Sequence, residues 1–154
     1  MFGGPRVSER EILEEGQLDP AKGLVGDSWS TRSAGRPPNV DVQLTLMNVR
    51  VTALVAQDKS RWPLAGDQLD VDLDLSDDNL PAGTQLAIGS AVIQVSAQPH
   101  TGCANFVDRF GMDAMLFVKA TEGRAMHLRG INASVVQPGV IRVGDRVGKV
   151  SGGA

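Results

Sequence analysis

The chain carries one cysteine, Cys103, in the stretch "QPHTGCANF" (residues 98–106), and one of its two histidines, His100, stands three residues before it. The segment that follows reads as a helix, so the thiol falls near a helix N-terminus, where the positive end of the dipole favours thiolate. Backbone N–H groups at such a position also bind anions. Thr101 and Gly102 complete the loop, and a glycine there lets a ligand or another backbone come close. A thiolate in this setting is a nucleophile and a soft metal ligand, beside a loop able to hold a phosphate or oxyanion. His100 can take the thiol's proton if the two meet in space. The plain alternatives are a cysteine packed as a small hydrophobe and a loop histidine bonded to backbone, and sequence leaves both open.

Other side chains offer less. Arg109, Arg129 and Arg142 can grip a phosphate or a pterin-like carboxamide edge through their planar donors, though singly each reads as a surface charge. Arg129 stands above the others because "HLRGINA" contains a glycine suited to a pocket wall. His127 reads as an exposed strand residue. Asp70, Asp72 and Asp74 resemble the opening of an EF-hand loop, but the sixth and twelfth places hold Leu75 and Pro81 rather than glycine and glutamate. The solvated face of a strand accounts for them better. No P-loop, dinucleotide fingerprint, zinc-protease helix or nucleophile elbow occurs.

Positioning such a loop requires a frame, and two-residue alternation supplies one. "VDVQLTL", "VRVTALV" and "LDVDLDL" each alternate apolar with polar residues, which predicts strands with one buried face. "TQLAIGSAVIQVS" predicts a strand pair about Gly89-Ser90, and "VVQPGVIRVGDRVGKV" predicts further strands broken at Pro138-Gly139 and Gly144-Asp145. "SEREILEEG" reads as a short helix, capped by Ser8 with Glu11 and stopped at Gly16. "GLVGDSWSTRSAGRPPN" is a long loop. "NFVDRFGMDAMLFVKA" has near-helical spacing and reads as one helix weakened at Gly111. Many short strands with few helices imply a β-barrel or sandwich.

Composition bounds the function. The chain has 154 residues, suited to one domain or one domain with tails, and 42% are apolar, enough for a core. The net charge of −3 speaks against nucleic acid as a partner. No apolar run approaches a membrane span, and the N-terminus lacks the order of a secretory signal. A single cysteine excludes an internal disulfide and a four-thiolate metal site, which fits a reducing, cytoplasmic setting.

Several segments together resemble the MOSC domain, the C-terminal domain of molybdenum-cofactor sulfurases. "GLVGD" is similar to the family's early Gly-x-x-Gly-Asp element, and "VQLTLMN" to its first long strand. "DDNLPAGTQLAIGSAVIQVS" is similar to its Glu-Asn-Leu segment and following strand pair, with Asp78 in the glutamate's place. "QPHTGC" supplies the cysteine, with Gly102 where many members have proline. "RGINASVVQPGVIRVGDRV" resembles the closing element. The resemblance spans residues 20–150 and implies a mainly β fold: a closed or partly open barrel of the pyruvate-kinase-like type with a few short helices. It divides the chain into an N-terminal helical segment (1–19), the barrel (20–150) and a tail (151–154).

The resemblance also implies a role in sulfur or molybdenum-cofactor metabolism. Cys103 would receive sulfur from a pyridoxal-phosphate cysteine desulfurase and pass it on as a persulfide, or contact the molybdenum of a bound molybdopterin. His100 would assist. Thr101, Gly102, Arg109, Arg129, Asn79, Asp27 and Asn132 would line the cofactor site, and a molybdoenzyme or other cofactor acceptor would be the recipient. Molybdenum-ion and pyridoxal-phosphate binding enter as family-level associations. The alternatives are a non-catalytic module for the cofactor or another anionic, pterin-like ligand, and a plain barrel with a buried cysteine.

Overall fold

Alternating apolar residues do build most of the sheet, and the departures come where a second layer covers the outer face. The computed structural model describes residues 2–3, 11–31, 35, 37–100 and 104–150. In chain order the strands are β1 (Phe2–Gly3), β2 (Glu11–Ile12), β3 (Glu15–Asp19), β4 (Gly23–Leu24), β5 (Leu44–Asn48), β6 (Leu69–Val71), β7 (Gln85–Ile88), β8 (Ala91–Val95), β9 (Ile131–Gln137), β10 (Gly139–Arg142) and β11 (Val147–Lys149). The helices are α1 (Val49–Ala56), α2 (Ala104–Phe110), α3 (Met112–Lys119) and α4 (Thr121–Ala125), with 3-10 turns at Val40–Val42 and Lys59–Ala65.

A six-stranded sheet in the order β11-β7-β8-β9-β5-β6 curls into a half-barrel. Its one parallel pair is β5–β6, with Leu46 opposite Leu69; α1 and the second 3-10 turn make the crossover that a parallel connection demands. A smaller sheet, β10-β3-β4, packs against it. Leu18, Leu24 and Ile141 from the small sheet meet Leu44, Leu46, Leu86, Ile93 and Val135 from the large one in the main core. The fold is therefore mainly β, a partly open barrel with short helices, as expected.

β5 is buried on both faces. Leu44 and Leu46 point into the barrel, while Met47 joins Val51, Val55, Phe106, Met115 and Val118 in a second core beneath the helices. That helical layer explains the largest correction. Residues 49–55 are a helix, not a strand. Asn48 accepts the N–H of Arg50 as N-cap, and Val51, Thr52, Val55 and Ala56 share the buried face. Each fully buried valine stabilises the packing by ~1.5–3 kcal/mol. Residues 40–42 form a 3-10 turn, so the strand begins only at Leu44. β6 ends at Val71, well before Leu75.

Two helix expectations also change. The helix expected from Ser8 to Gly16 is replaced, over the described residues, by β2 and β3. Gly16 and Leu18 are buried in alternation and β3 pairs with β10, which a helix could not do. The single helix after the cysteine is two, α2 and α3, because Gly111 takes φ +90° between them. Among the described residues, no helix is long and apolar enough to cross a membrane.

Candidate functional site

The polar centre of the molecule lies where four separated segments meet: Thr45 on β5, Asp67-Gln68 just before β6, His100 after β8, and Arg129 just before β9. Asp67 is 2% exposed. Arg129 Nη1 donates to both its oxygens, at 2.9 and 3.2 Å, and Nη2 donates to the Ala65 carbonyl at 3.0 Å. The guanidinium lies 4.9 Å from the Phe106 ring centroid, a cation–π contact made stronger by exclusion of water. His100 Nε2 is 3.0 Å from Asp67 Oδ1.

Burial is the largest influence on Asp67 and acts to raise its pKa. The Arg129 charge, the His100 hydrogen bond and charge, and the Thr45 hydroxyl together outweigh it, so the carboxyl stays below its ordinary value. A carboxylate there fixes the imidazole. In the neutral ring Nε2 must carry the proton and donate to Asp67, leaving Nδ1 bare as an acceptor. The same network runs on to Asp27. Gln68 Oε1 accepts from Thr45 N at 2.8 Å and Thr45 Oγ1 at 2.6 Å, while Gln68 Nε2 donates to Asp27 Oδ2 at 3.1 Å.

Backbone features hold His100 in place. Asn132 Nδ2 donates to Gln98 O at 3.1 Å, and Ser96 N donates to Asn132 O at 2.9 Å. Gly130 takes φ +115°, and a Cβ there would stand 2.4 Å from Leu46 O and 3.2 Å from His100 Cδ2. Only glycine lets the chain enter β9 this close to β5 and the imidazole.

A cavity of about 420 Å³ opens beside this centre, lined by Pro99, His100, Lys119, Arg124, His127 and Arg129, with Val118 and Gly123. No carboxylate is among its described lining residues. His127 Nε2 is 2.8 Å from Asp77 Oδ1, on the wall of an adjoining cavity of about 260 Å³ that shares Pro99 and His100. The first cavity thus presents the positive charges of Lys119 and Arg124 to whatever enters, a suitable reception for an anion.

The residues singled out from sequence fall into groups. His100 and Arg129 come together on Asp67, Asp27 joins them through Gln68, and Asn132 anchors the segment that carries His100. Arg109 is turned to the Leu64 carbonyl at 2.8 Å. Asn79 donates to Asp74 O at 2.7 Å within its own loop, away from the His100 cavity. Arg142 pairs with Glu15 at 2.7 Å. His127 belongs to a half-buried turn after α4 at φ +50°, not to an exposed strand. Cys103, Thr101 and Gly102 lie outside the described residues. Among the described residues, no three His, Cys, Asp or Glu side chains cluster as metal ligands.

Asp67, Gln68, Lys119 and Arg124 were not singled out from sequence. Asp67 had a signal. Counting back by twos from Leu69, Val71, Leu73 and Leu75 puts it in phase with the apolar positions, and an acid at such a position is informative.

The model of the MOSC domain family matches residues 66–148. Among solved structures, a hypothetical protein superposes with TM-score 0.60 at 23% identity, over 91% of this chain and 62% of that one. YiiM from Escherichia coli gives TM-score 0.59 at 20% identity, over 97% and 67%. The YUAD protein from Bacillus subtilis gives 0.59 at 13%, over 95% and 90%. At these identities the likeness shows a shared fold. No curated protein matches the chain.

Proposed function

Because the chain belongs to the MOSC domain family, a family associated with the molybdenum cofactor, we propose that it handles sulfur at Cys103 and that the cavity beside His100 seats an anionic partner. The observation that carries this reading is the cavity itself. Its wall includes Lys119, Arg124, Arg129 and two imidazoles, with no carboxylate among the described residues, and one of those residues, His100, precedes the thiol by three positions.

In the proposed reaction the Cys103 thiolate attacks the outer sulfur of a donor persulfide, R–S–SH. The donor's S–S bond breaks, R–S⁻ leaves, and Cys103 carries the terminal sulfur as Cys–S–SH. An acceptor nucleophile takes that sulfur by the reverse exchange and regenerates the thiolate. A pyridoxal-phosphate cysteine desulfurase is a donor of the right chemistry, and a molybdoenzyme or cofactor-bearing protein is the corresponding acceptor. His100, tautomerically fixed by Asp67, offers Nδ1 as base for the thiol proton. Cationic walls stabilise the anionic donor and the departing thiolate.

The test is intact mass spectrometry after incubation with a persulfide donor. A one-sulfur adduct is expected on the wild type and not on Cys103→Ser. An adduct of equal yield on both proteins, or none on a wild type whose thiol still alkylates, ends the reading.

A second reading is retention of the molybdenum cofactor. Arg129 Nε is buried with no hydrogen-bond partner among the described residues, and the cavity beside it is cationic, so the residues fit an anionic pterin. Lys119 and Arg124 would hold its phosphate, Arg129 its polar edge, and Cys103 would stand as a soft metal ligand. The bound group would supply redox chemistry at molybdenum. Oxidised-pterin fluorescence of purified protein, lost in Arg124→Glu, is the expected sign, and its absence after expression in a cofactor-making host removes this alternative.

A further inference from the structure

The half-barrel leaves a seam. Its edge strands β6 and β11 do not pair with each other among the described residues. A cavity of about 270 Å³ opens between them, and its walls include Asp70 and Val71 of β6, Val147 of β11, Ile88, Ile141 and Trp62. None of its lining residues belongs to the His100 cavity.

The seam has three chemical properties. It is mostly apolar, with branched aliphatic side chains from both sheets. It has one aromatic wall, Trp62, which already attracts a cation: Lys59 Nζ stands 5.5 Å from its ring centroid. It also has a shielded carboxyl. Asp70 Oδ1 accepts from Thr52 Oγ1 at 2.7 Å, while Oδ2 is buried and accepts no hydrogen bond among the described residues. Of the other charged groups at the rim, Asp145 and Arg142 are engaged within the chain, Lys59 lies over Trp62, and Glu14 stays in solvent. Asp145 Oδ2 accepts the Arg142 N–H at 2.8 Å, and the Arg142 guanidinium pairs with Glu15 at 2.7 Å.

A buried carboxylate that lacks a donor calls for one, and an ammonium supplies it with opposite charge. We propose that the seam is a binding site for a small primary amine with an aromatic or branched aliphatic body, its ammonium on Asp70 and its body between Trp62, Val71 and Ile141. The cavity is near the small end of the usual range for ligand sites, which limits the ligand to about one ring or one branched chain. An anionic ligand is disfavoured by the Asp70 carboxyl itself. The seam shares no described lining residue with the His100 cavity, so this inference does not rest on the sulfur-handling reading.

The experiment is isothermal titration of the full chain with benzylamine, benzyl alcohol and benzoate. Benzylamine should bind saturably, benzyl alcohol more weakly, and benzoate not at all. Asp70→Asn is nearly isosteric and keeps an oxygen for Thr52. It should weaken benzylamine by about tenfold or more and leave benzyl alcohol unchanged. Trp62→Ala, at a half-buried position, should weaken both ligands. The proposal is overturned if benzylamine shows no saturable binding at millimolar concentration, or if benzoate binds as well as the amine. Native affinity for benzylamine in folded Asp70→Asn, or in both variants, also overturns it.

Discussion

Replacing Arg129 by methionine removes the charge facing Asp67 but keeps a long apolar side chain on Phe106 and Met47. Three guanidinium hydrogen bonds to oxygen are lost: two to Asp67, at 2.9 and 3.2 Å, and one to Ala65 O at 3.0 Å. Breaking one side of a buried ion pair costs about 3–5 kcal/mol, because the remaining charge is left uncompensated. His100 still serves Asp67, so the lower end, about 3 kcal/mol, is expected near neutral pH. With a urea slope of about 2 kcal/mol/M, the midpoint should fall by roughly 1.5 M.

The pH dependence separates charge from packing. In the wild type the folded pKa of Asp67 is depressed, so its contribution is present above the unfolded value and is lost as pH falls through the folded one. In the variant burial prevails, the folded pKa rises above the unfolded value, and the sign reverses. The cost is then full at neutral pH and shrinks as acid protonates Asp67. Urea titrations at about pH 7.5 and about pH 5 should show the gap between the two proteins narrowing at the lower pH. A gap equal at both values, or smaller than about 1 kcal/mol throughout, refutes the claim that an ion pair organises this site.

Three further outcomes follow from the same geometry. Asp70 has a pKa raised to about 6, by burial first, with Thr52 opposing and Asp67 adding; relative to Asp70→Asn, the wild type should lose about 1–3 kcal/mol between about pH 4 and 6.5, measured by urea unfolding, and change little above that. Asn132→Ala frees the Gln98 carbonyl and should cost about 1 kcal/mol, with faster amide exchange confined to residues 96–100. Gly130→Ala drives a methyl against Leu46 O at a φ of +115° and should lower stability by at least about 2 kcal/mol, read as a fall in Tm.

Much of the barrel was legible because its strands obey a period of two. The β7–β8 hairpin follows from Leu86, Ile88, Ala91, Ile93 and Val95 about a Gly-Ser turn, and all five prove buried. The failures around β5 and β6 share one cause: alternation alone predicts a sheet with only one covered face. "VRVTALV" satisfies a two-residue period at Val49, Val51 and Val55 and a helical one at Val51, Thr52 and Val55. What decides is the Asn48 cap together with the helical layer above β5, and a single segment records neither clearly. Asp70 was assigned to solvent with Asp72 and Asp74, yet it meets Thr52 of α1 because that layer reaches over β6. The site was legible in part. His100 and Arg129 could be named as polar residues in glycine-containing stretches, and Asp27 through the family resemblance alone. Asp67, the partner shared by His100 and Arg129, shows in the sequence only as an acid in phase with apolar positions; its contacts lie 33 and 62 positions away, beyond the reach of local pattern.

Those separations bear on how the protein acquires its chemistry during folding. Contacts between residues so far apart along the chain form only after large loops have closed, and pairing β5 with β6 in parallel adds a slow step of its own. The His100–Asp67–Arg129 cluster therefore requires those closures, and no proteolytic fragment short of residues 67–129 contains all three members. A probe of Asp67 protonation would double as a clock for the closing of those loops.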